Sequence, residues 1–336
     1  MTNRLILVVL LLISAAPVLP KSALGEDGPL REWLKERREQ RLHDAESSTD
    51  SKITRPGDHV FTIMHGNLAR KYRVHVPKSY DPATPAPVLF ALHGGGGNMD
   101  YQANDQRYGL ISASEQKGFI AVFPNGYSKL RSGRFATWNA GACCGDARDE
   151  HIDDVGFIKQ VVDDVTRKLN VDRHRFFAAG MSNGGMMSYR LACELSDTFS
   201  AIAAVAGTDN TMACQPAKPI SILHIHARND DHVLFNGGAG PGAFRDESKV
   251  TQFTSVPATI SKWVAANRCN PTPKRVLDEA GAYCDRYSSC QANVSVQLCV
   301  TDTGGHSWPG GTKPRGEPPS TAISANDVMW KFFTHQ

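Results

Sequence analysis

The sequence predicts an α/β domain with a mostly parallel central sheet flanked by helices, on three observations. Pro87–Leu92 is a continuous apolar run, as expected of a strand buried on both faces, Ala201–Ala206 reads as another, and Ile120–Phe123 and Ile220–His226 are strand-like. Between them lie stretches of helical period, such as Val155, Ile158, Val162, Val165 and Leu169. Finally, Gly180-Met181-Ser182-Asn183-Gly184 joins the strand-like run Arg175–Met181 to a helix-like stretch carrying Met186, Met187, Tyr189 and Leu191. Glycines on both sides of a serine at such a junction suit a sharp turn that lifts the hydroxyl clear of the sheet.

Composition bounds the answer. The 336 residues, 41% of them hydrophobic, suffice for one large α/β domain or two smaller ones. A net charge of +3, with Lys and Arg scattered among nearly as many acids, gives no nucleic-acid footprint. Met1–Arg4 is a short basic start, Leu5–Ile13 an apolar core, and Ala23-Leu24-Gly25 a small-residue site, so residues 1–25 read as a cleaved signal peptide. The apolar run falls short of the roughly 20 residues that span a bilayer. A secreted or periplasmic protein, with no membrane role after signal removal and no partner protein implied, is therefore expected. Residues 26–55 read as a charged, partly helical extension, with Leu30, Trp33, Leu34 and Leu42 as a thin apolar stripe. Residues 56–336 remain as a single domain.

All eight cysteines follow the leader, and an even number in an exported chain predicts disulfides. Connectivity is not readable, although adjacent Cys143 and Cys144 are expected to take different partners. A zinc site from Cys143, Cys144 and His151 is the competing reading, and its spacing fits no usual finger or ribbon. No metal or cofactor is expected.

Taken in order, Val60–Met64 and Lys71–Val76 flank His65-Gly66-Asn67 as a hairpin of half-exposed strands. The buried strand Pro87–Leu92 runs into His93-Gly94-Gly95-Gly96-Gly97. Glycines there let backbone N–H groups turn inward, as an oxyanion hole requires, with Gly95 and Gly94 as donors. A phosphate loop is the alternative, but no Gly-Lys-Ser/Thr follows at the right spacing. Tyr108–Lys117 reads as helix, Ile120–Phe123 as strand and Pro124-Asn125-Gly126 as a turn. Trp138, opening the small-residue loop to Gly145, is a candidate pocket wall or else packing beneath a tied loop. Asp153 or Asp154 serves as an N-cap for the helix that follows.

Ser182 is the candidate nucleophile, and Asn183 N–H, at the start of the next helix, a further oxyanion donor. A serine hydroxyl needs a base, and the base a carboxylate that fixes its tautomer. Asp230, just past the apolar run ending at His226, fits as the acid, while Asp231 would point elsewhere. His224, His226 and His232 precede or crowd it. Val294–Val300 alternates as a strand and opens into the glycine-bracketed loop Thr303–Gly311, where His306 is the base candidate among 12 histidines and Trp308 shapes the pocket. Ala325, Val328, Met329, Phe332 and Phe333 define an amphipathic closing helix, with Ser324 and Asp327 at capping spacing.

With these residues assembled, the chain from about residue 58 to 335 resembles the secreted polyhydroxybutyrate depolymerase and feruloyl esterase family of α/β-hydrolases. The resemblance rests on Gly94–Gly97 after His93, Trp138 with Cys143-Cys144-Gly145, Asp153–Phe157, Gly180–Gly185, Asp230 with Asn236-Gly237-Gly238, and Gly305–Gly311. It implies a single α/β-hydrolase domain that cleaves carboxylic esters without metal, with Ser182, Asp230 and His306 as triad. Ala227-Arg228 stands where Gly-Thr is usual before the acid, and Leu234-Phe235 where Pro-Tyr is, which alters the pocket rim. The expected substrates are poly(3-hydroxybutyrate)-type polyesters or their oligomers. Feruloyl (hydroxycinnamoyl) or acetyl-xylan type esters of the plant cell wall are the alternative. A reading from another class is a catalytically inactive binding module on the same scaffold.

Overall fold

The computed structural model describes residues 52–243 and 251–335. The expected signal peptide, and the extension up to residue 51, lie outside the described residues. Ten strands form one sheet, in the order β1-β2-β4-β3-β5-β6-β7-β10-β9-β8. These are β1 (Gly57–His65), β2 (Leu68–Val76), β3 (Ala86–Leu92), β4 (Ile120–Pro124), β5 (Val171–Met181), β6 (Ala201–Val205), β7 (Ser221–Ala227), β8 (Lys274–Glu279), β9 (Ala282–Tyr287) and β10 (Val296–Thr301). The six from β4 to β10 in that order are parallel, and the hairpin β1–β2 and the β9–β8 pair extend the two edges antiparallel. This is the mostly parallel α/β sheet that the apolar runs predict, in the α/β-hydrolase arrangement that the resemblance implies.

Eight helices are described: α1 (Met99–Gln102), α2 (Asp105–Tyr108), α3 (Leu110–Lys117), α4 (Gly145–Asp149), α5 (Asp154–Lys168), α6 (Asn183–Glu194), α7 (Val256–Ala266) and α8 (Ala325–Thr334). They cover both faces. Along β3, Val88, Phe90 and Leu92 join one core cluster with residues of α5, α6 and α7, while Leu89 and Ala91 join the other with residues of α3 and α8. Period-2 alternation of a strand buried on both sides explains the split. Each such fully buried Val, Leu or Phe contributes about 1.5–3 kcal/mol over its exposed state. The core begins slightly before the boundary expected at residue 56: Ile53 is buried, and its N–H donates to Lys168 O at 3.0 Å.

Register places the chemistry. Leu92 pairs with Gly180, Met181 with Val205, Val205 with Ile225, and Ala227 with Thr301. The carboxyl ends of β3, β5, β6, β7 and β10 therefore lie side by side, where ligands bind in sheets of this kind.

Three expectations need correction. Cys143 and Cys144 are bonded to each other. The other six pair as Cys193–Cys214, Cys269–Cys290 and Cys284–Cys299, across 21, 21 and 15 residues, so neither adjacent cysteine has another partner left. The zinc reading loses both thiolates. Asp153 does cap α5, accepting from Gly156 N–H at 2.9 Å, but Asp154 is instead buried against Arg70 at 2.6 Å and accepts Asn139 N–H at 2.8 Å. The small-residue loop from Trp138 is irregular through Cys144, and helix α4 starts at its last residue, Gly145.

Candidate active site

The turn between β5 and α6 holds Ser182 at φ 55°, ψ −120°, a strained conformation for a residue with a side chain. Two close approaches make it possible. A Cβ on Gly180 would meet the backbone of Gly184 and Gly185, and a Cβ on Gly184 would run into Leu92 O and His93 O. Ser182 N–H donates to Val205 O at 2.8 Å, which ties the turn to the end of β6.

Asp230 follows β7, as expected of the acid. Its Oδ1 accepts from His232 N–H at 2.8 Å and Val233 N–H at 2.9 Å. His306, on the loop after β10, places Nδ1 2.9 Å from Asp230 Oδ2 and 3.1 Å from Oδ1. A carboxylate only accepts, so Nδ1 carries the proton and Nε2 is left as a base. Burial of Asp230 opposes its ionisation, yet hydrogen bonds from His226 and His306 hold it well below the usual carboxylate range. Burial lowers the His306 pKa, with Asp230 pulling the other way, which favours the neutral imidazole a base needs. Asp231 bonds instead to His232 Nδ1, at 2.7 Å.

Ser182, His306 and the loop Gly94–Gly97 line one cavity of about 610 Å³. Gly96 N–H donates to Ala136 O and Gly97 N–H to Gly94 O. Among the described residues, the N–H groups of Gly94 and Gly95 take no such partner. Asn183 is the first residue of α6, so its N–H has no acceptor within the helix. Its side chain has a duty the sequence did not suggest: Oδ1 accepts Trp138 N–H at 2.7 Å and Nδ2 donates to Trp138 O at 3.0 Å.

Trp138 corrects another expectation. It is fully buried, donates Nε1–H to His93 O at 2.9 Å, and does not line the cavity, whereas its neighbour Thr137 and Cys144 do. An indole between the turn and the glycine loop is a support, so packing is its role. Trp308 does line the cavity, edge-on to Tyr108 at 5.5 Å, with its Nε1–H on Asn326. Tyr101, Tyr108 and Phe253 complete an aromatic wall that sequence patterning did not single out, because their apolar spacing is equally that of ordinary core residues.

His93, the residue before the glycines, has hydrogen-bond partners that the sequence alone does not assign. Its Nε2 accepts Gly126 N–H at 2.9 Å, so Nδ1 holds the proton and donates to Gly94 O at 2.8 Å. Fixing that carbonyl sends the N–H of the same planar peptide, Gly95's, the opposite way. Burial pushes the His93 pKa down from 6.5 to about 4. A depressed folded value means the contribution to stability is full above about pH 6.5 and is lost as pH falls toward 4. The melting temperature is accordingly expected to drop across that window, and a flat profile would contradict the buried neutral His93.

Asp230, His232 and His306 also bring potential metal-ligand atoms within 4.8 Å of one another. In this arrangement Asp230 accepts the hydrogen bonds just described and His232 Nδ1 bonds to Asp231.

The Esterase family model, described as "Putative esterase", matches residues 66–270. The chain belongs to that esterase family. Feruloyl esterase C of Emericella nidulans is 30% identical over 271 residues, covering 79% of this chain and 83% of that protein. Feruloyl esterase B of Piromyces equi is 31% identical over 244 residues, covering 70% of this chain but 42% of the relative, so the chain spans less than half of its length. Among solved structures, an acetyl xylan esterase from Aspergillus awamori superposes with a TM-score of 0.56 over 83% of this chain and 100% of its own, at 13% identity, a likeness of fold. The esterase is thus a serine carboxylic ester hydrolase of the α/β-hydrolase type.

Proposed function

We propose that Ser182, Asp230 and His306 perform a two-step acyl transfer on hydroxycinnamoyl esters of the plant cell wall. Ser182 Oγ attacks the ester carbonyl as its proton passes to His306 Nε2, and Asp230 steadies the imidazolium. The N–H groups of Asn183, Gly95 and Gly94 hold the oxyanion. Collapse releases the alcohol, which takes the proton from His306. Water then repeats the cycle on the acyl-enzyme and frees the acid.

The observation that carries this reading is the Asp230–His306 pair opening onto the cavity that also holds Ser182 and the glycine loop. For the substrate, relatives named as feruloyl esterases favour the cell-wall alternative over the polyester placed first on sequence grounds. The aromatic wall of Tyr101, Tyr108, Phe253 and Trp308 suits a planar aromatic acyl group, and the cavity is of ordinary ligand-site size. All eight cysteines are in disulfides, which supports export through a leader at residues 1–25 and a secreted or periplasmic location.

Side-by-side assays on methyl ferulate and 3-hydroxybutyrate oligomers test the substrate. We expect kcat/KM to be higher on methyl ferulate by about 100-fold, the discrimination available when a pocket fits one acyl group and not the other. Equal or reversed values would return the assignment to polyesters.

A further inference from the structure

Behind Asp230, a line of polar side chains runs into the core. His224 and His226 occupy alternate positions of β7 and so share a face with Ile222. Both are buried, as is Tyr189 of α6. Tyr189 Oη lies 2.8 Å from His224 Nδ1, His224 Nε2 lies 3.0 Å from His226 Nδ1, and His226 Nε2 lies 2.8 Å from Val233 O and 3.3 Å from Asp230 Oδ2. Apolar residues would fill this face at lower cost, since each buried polar group must be matched.

The backbone carbonyl fixes every proton in the line. Val233 O only accepts, so His226 Nε2 carries hydrogen, and a neutral His226 then accepts at Nδ1. His224 must donate from Nε2 and accept at Nδ1, which makes Tyr189 the donor at the far end. Burial keeps the His224 pKa well below 6.5 and the Tyr189 pKa well above 10.0, so both stay neutral. The donors run from Tyr189 toward Val233 O, and the single His226 Nε2–H, 2.8 Å from that carbonyl, has Asp230 Oδ2 as its longer, 3.3 Å contact.

We propose that His226 is a positioning residue, locked in one tautomer by His224 and Tyr189, that holds Asp230 Oδ2 in place for His306. The inference rests on the reading of Ser182, Asp230 and His306 as the triad. Oδ2 is the oxygen nearer to His306 Nδ1. The other polar groups facing this pair are His232, stacked on His306 with centroids 4.4 Å apart and bonded to Asp231, and Lys313, whose Nζ donates to His306 O. Without the His226 donor, negative charge concentrates on Oδ2 and favours the His306 imidazolium.

The test measures p-nitrophenyl acetate hydrolysis by His226→Phe, His226→Gln, Tyr189→Phe and Ser182→Ala across pH. In His226→Phe we expect kcat to fall about tenfold or more with KM little changed, the effect of losing one hydrogen bond to a charged group. The acidic limb of kcat/KM should move to higher pH. His226→Gln, whose amide N–H sits the same number of bonds from Cβ, should restore both to near the original values. Tyr189→Phe should shift both in the same direction by less. A folded His226→Phe with the original pH profile, or a His226→Gln no better than it, overturns the proposal. Should His226→Phe not fold, Tyr189→Phe decides: a shifted limb supports the relay and an unshifted one overturns it. Ser182→Ala separates the two readings, because activity retained there would remove the triad itself, whereas an inactive Ser182→Ala beside an unaltered His226→Phe removes only the relay.

Discussion

Replacing Ser182 with alanine is expected to lower kcat on any cleaved ester by about 10⁴-fold or more, while leaving the fold and KM nearly unchanged. The size follows from the geometry. His306 Nε2 has no proton to accept once the hydroxyl is gone, and the acyl-enzyme cannot form. The glycine loop and Asn183 N–H would still polarise a bound carbonyl, so a small residual rate over water is expected rather than none. Stability should change little, since Ser182 lines the cavity. Steady-state kinetics with a melting curve checks both parts. An alanine variant within tenfold of the original rate would exclude Ser182 as nucleophile.

Gly184→Val is the second large effect, and it acts on fold and turnover together. A Cβ there would lie against Leu92 O and 2.6 Å from His93 O, both backbone atoms that cannot swing aside. Either α6 moves off the sheet or β3 moves from its register with β5, which pairs Leu92 with Gly180. Overpacking of this kind costs about 1–3 kcal/mol or more. It also displaces the start of α6, where Asn183 sits, from the glycine loop. We expect a clear drop in melting temperature and at least about 100-fold in kcat/KM, because sub-ångström placement of the donors sets the rate. Original stability with original activity would mean that the close approach of β3 and α6 is not needed.

The strand–turn–helix around Ser182 was legible because its requirements are local: glycine where backbones touch, apolar residues before, a helical period after. That Asp230 and His306 come together was legible for a related reason, since each stands just past an apolar run in a loop. Other features depend on what meets across the sheet. Strand β9 carries Cys284 opposite Cys299 of β10, a register that neither segment announces alone. Helix α7, with Val256, Ile260, Trp263 and Val264 buried, had readable periodicity and was missed. Trp138 is apolar in a small-residue loop whether it lines a pocket or supports one, and only its bond to His93 O decides. His224 and His226 looked like crowding near the acid. Their roles follow from the Val233 carbonyl, which sequence spacing does not place. The pairing of Cys143 with Cys144 is not legible locally, because it goes with the other six cysteines pairing among themselves.

The measurement that bears most directly on the central claim is covalent trapping with a fluorophosphonate, followed by intact-mass and peptide mapping of the full chain. One adduct per chain, located on Ser182, absent in Ser182→Ala and greatly slowed in Asp230→Asn, is the predicted result. An adduct on another residue, or equal labelling of the Ser182→Ala protein, would contradict it.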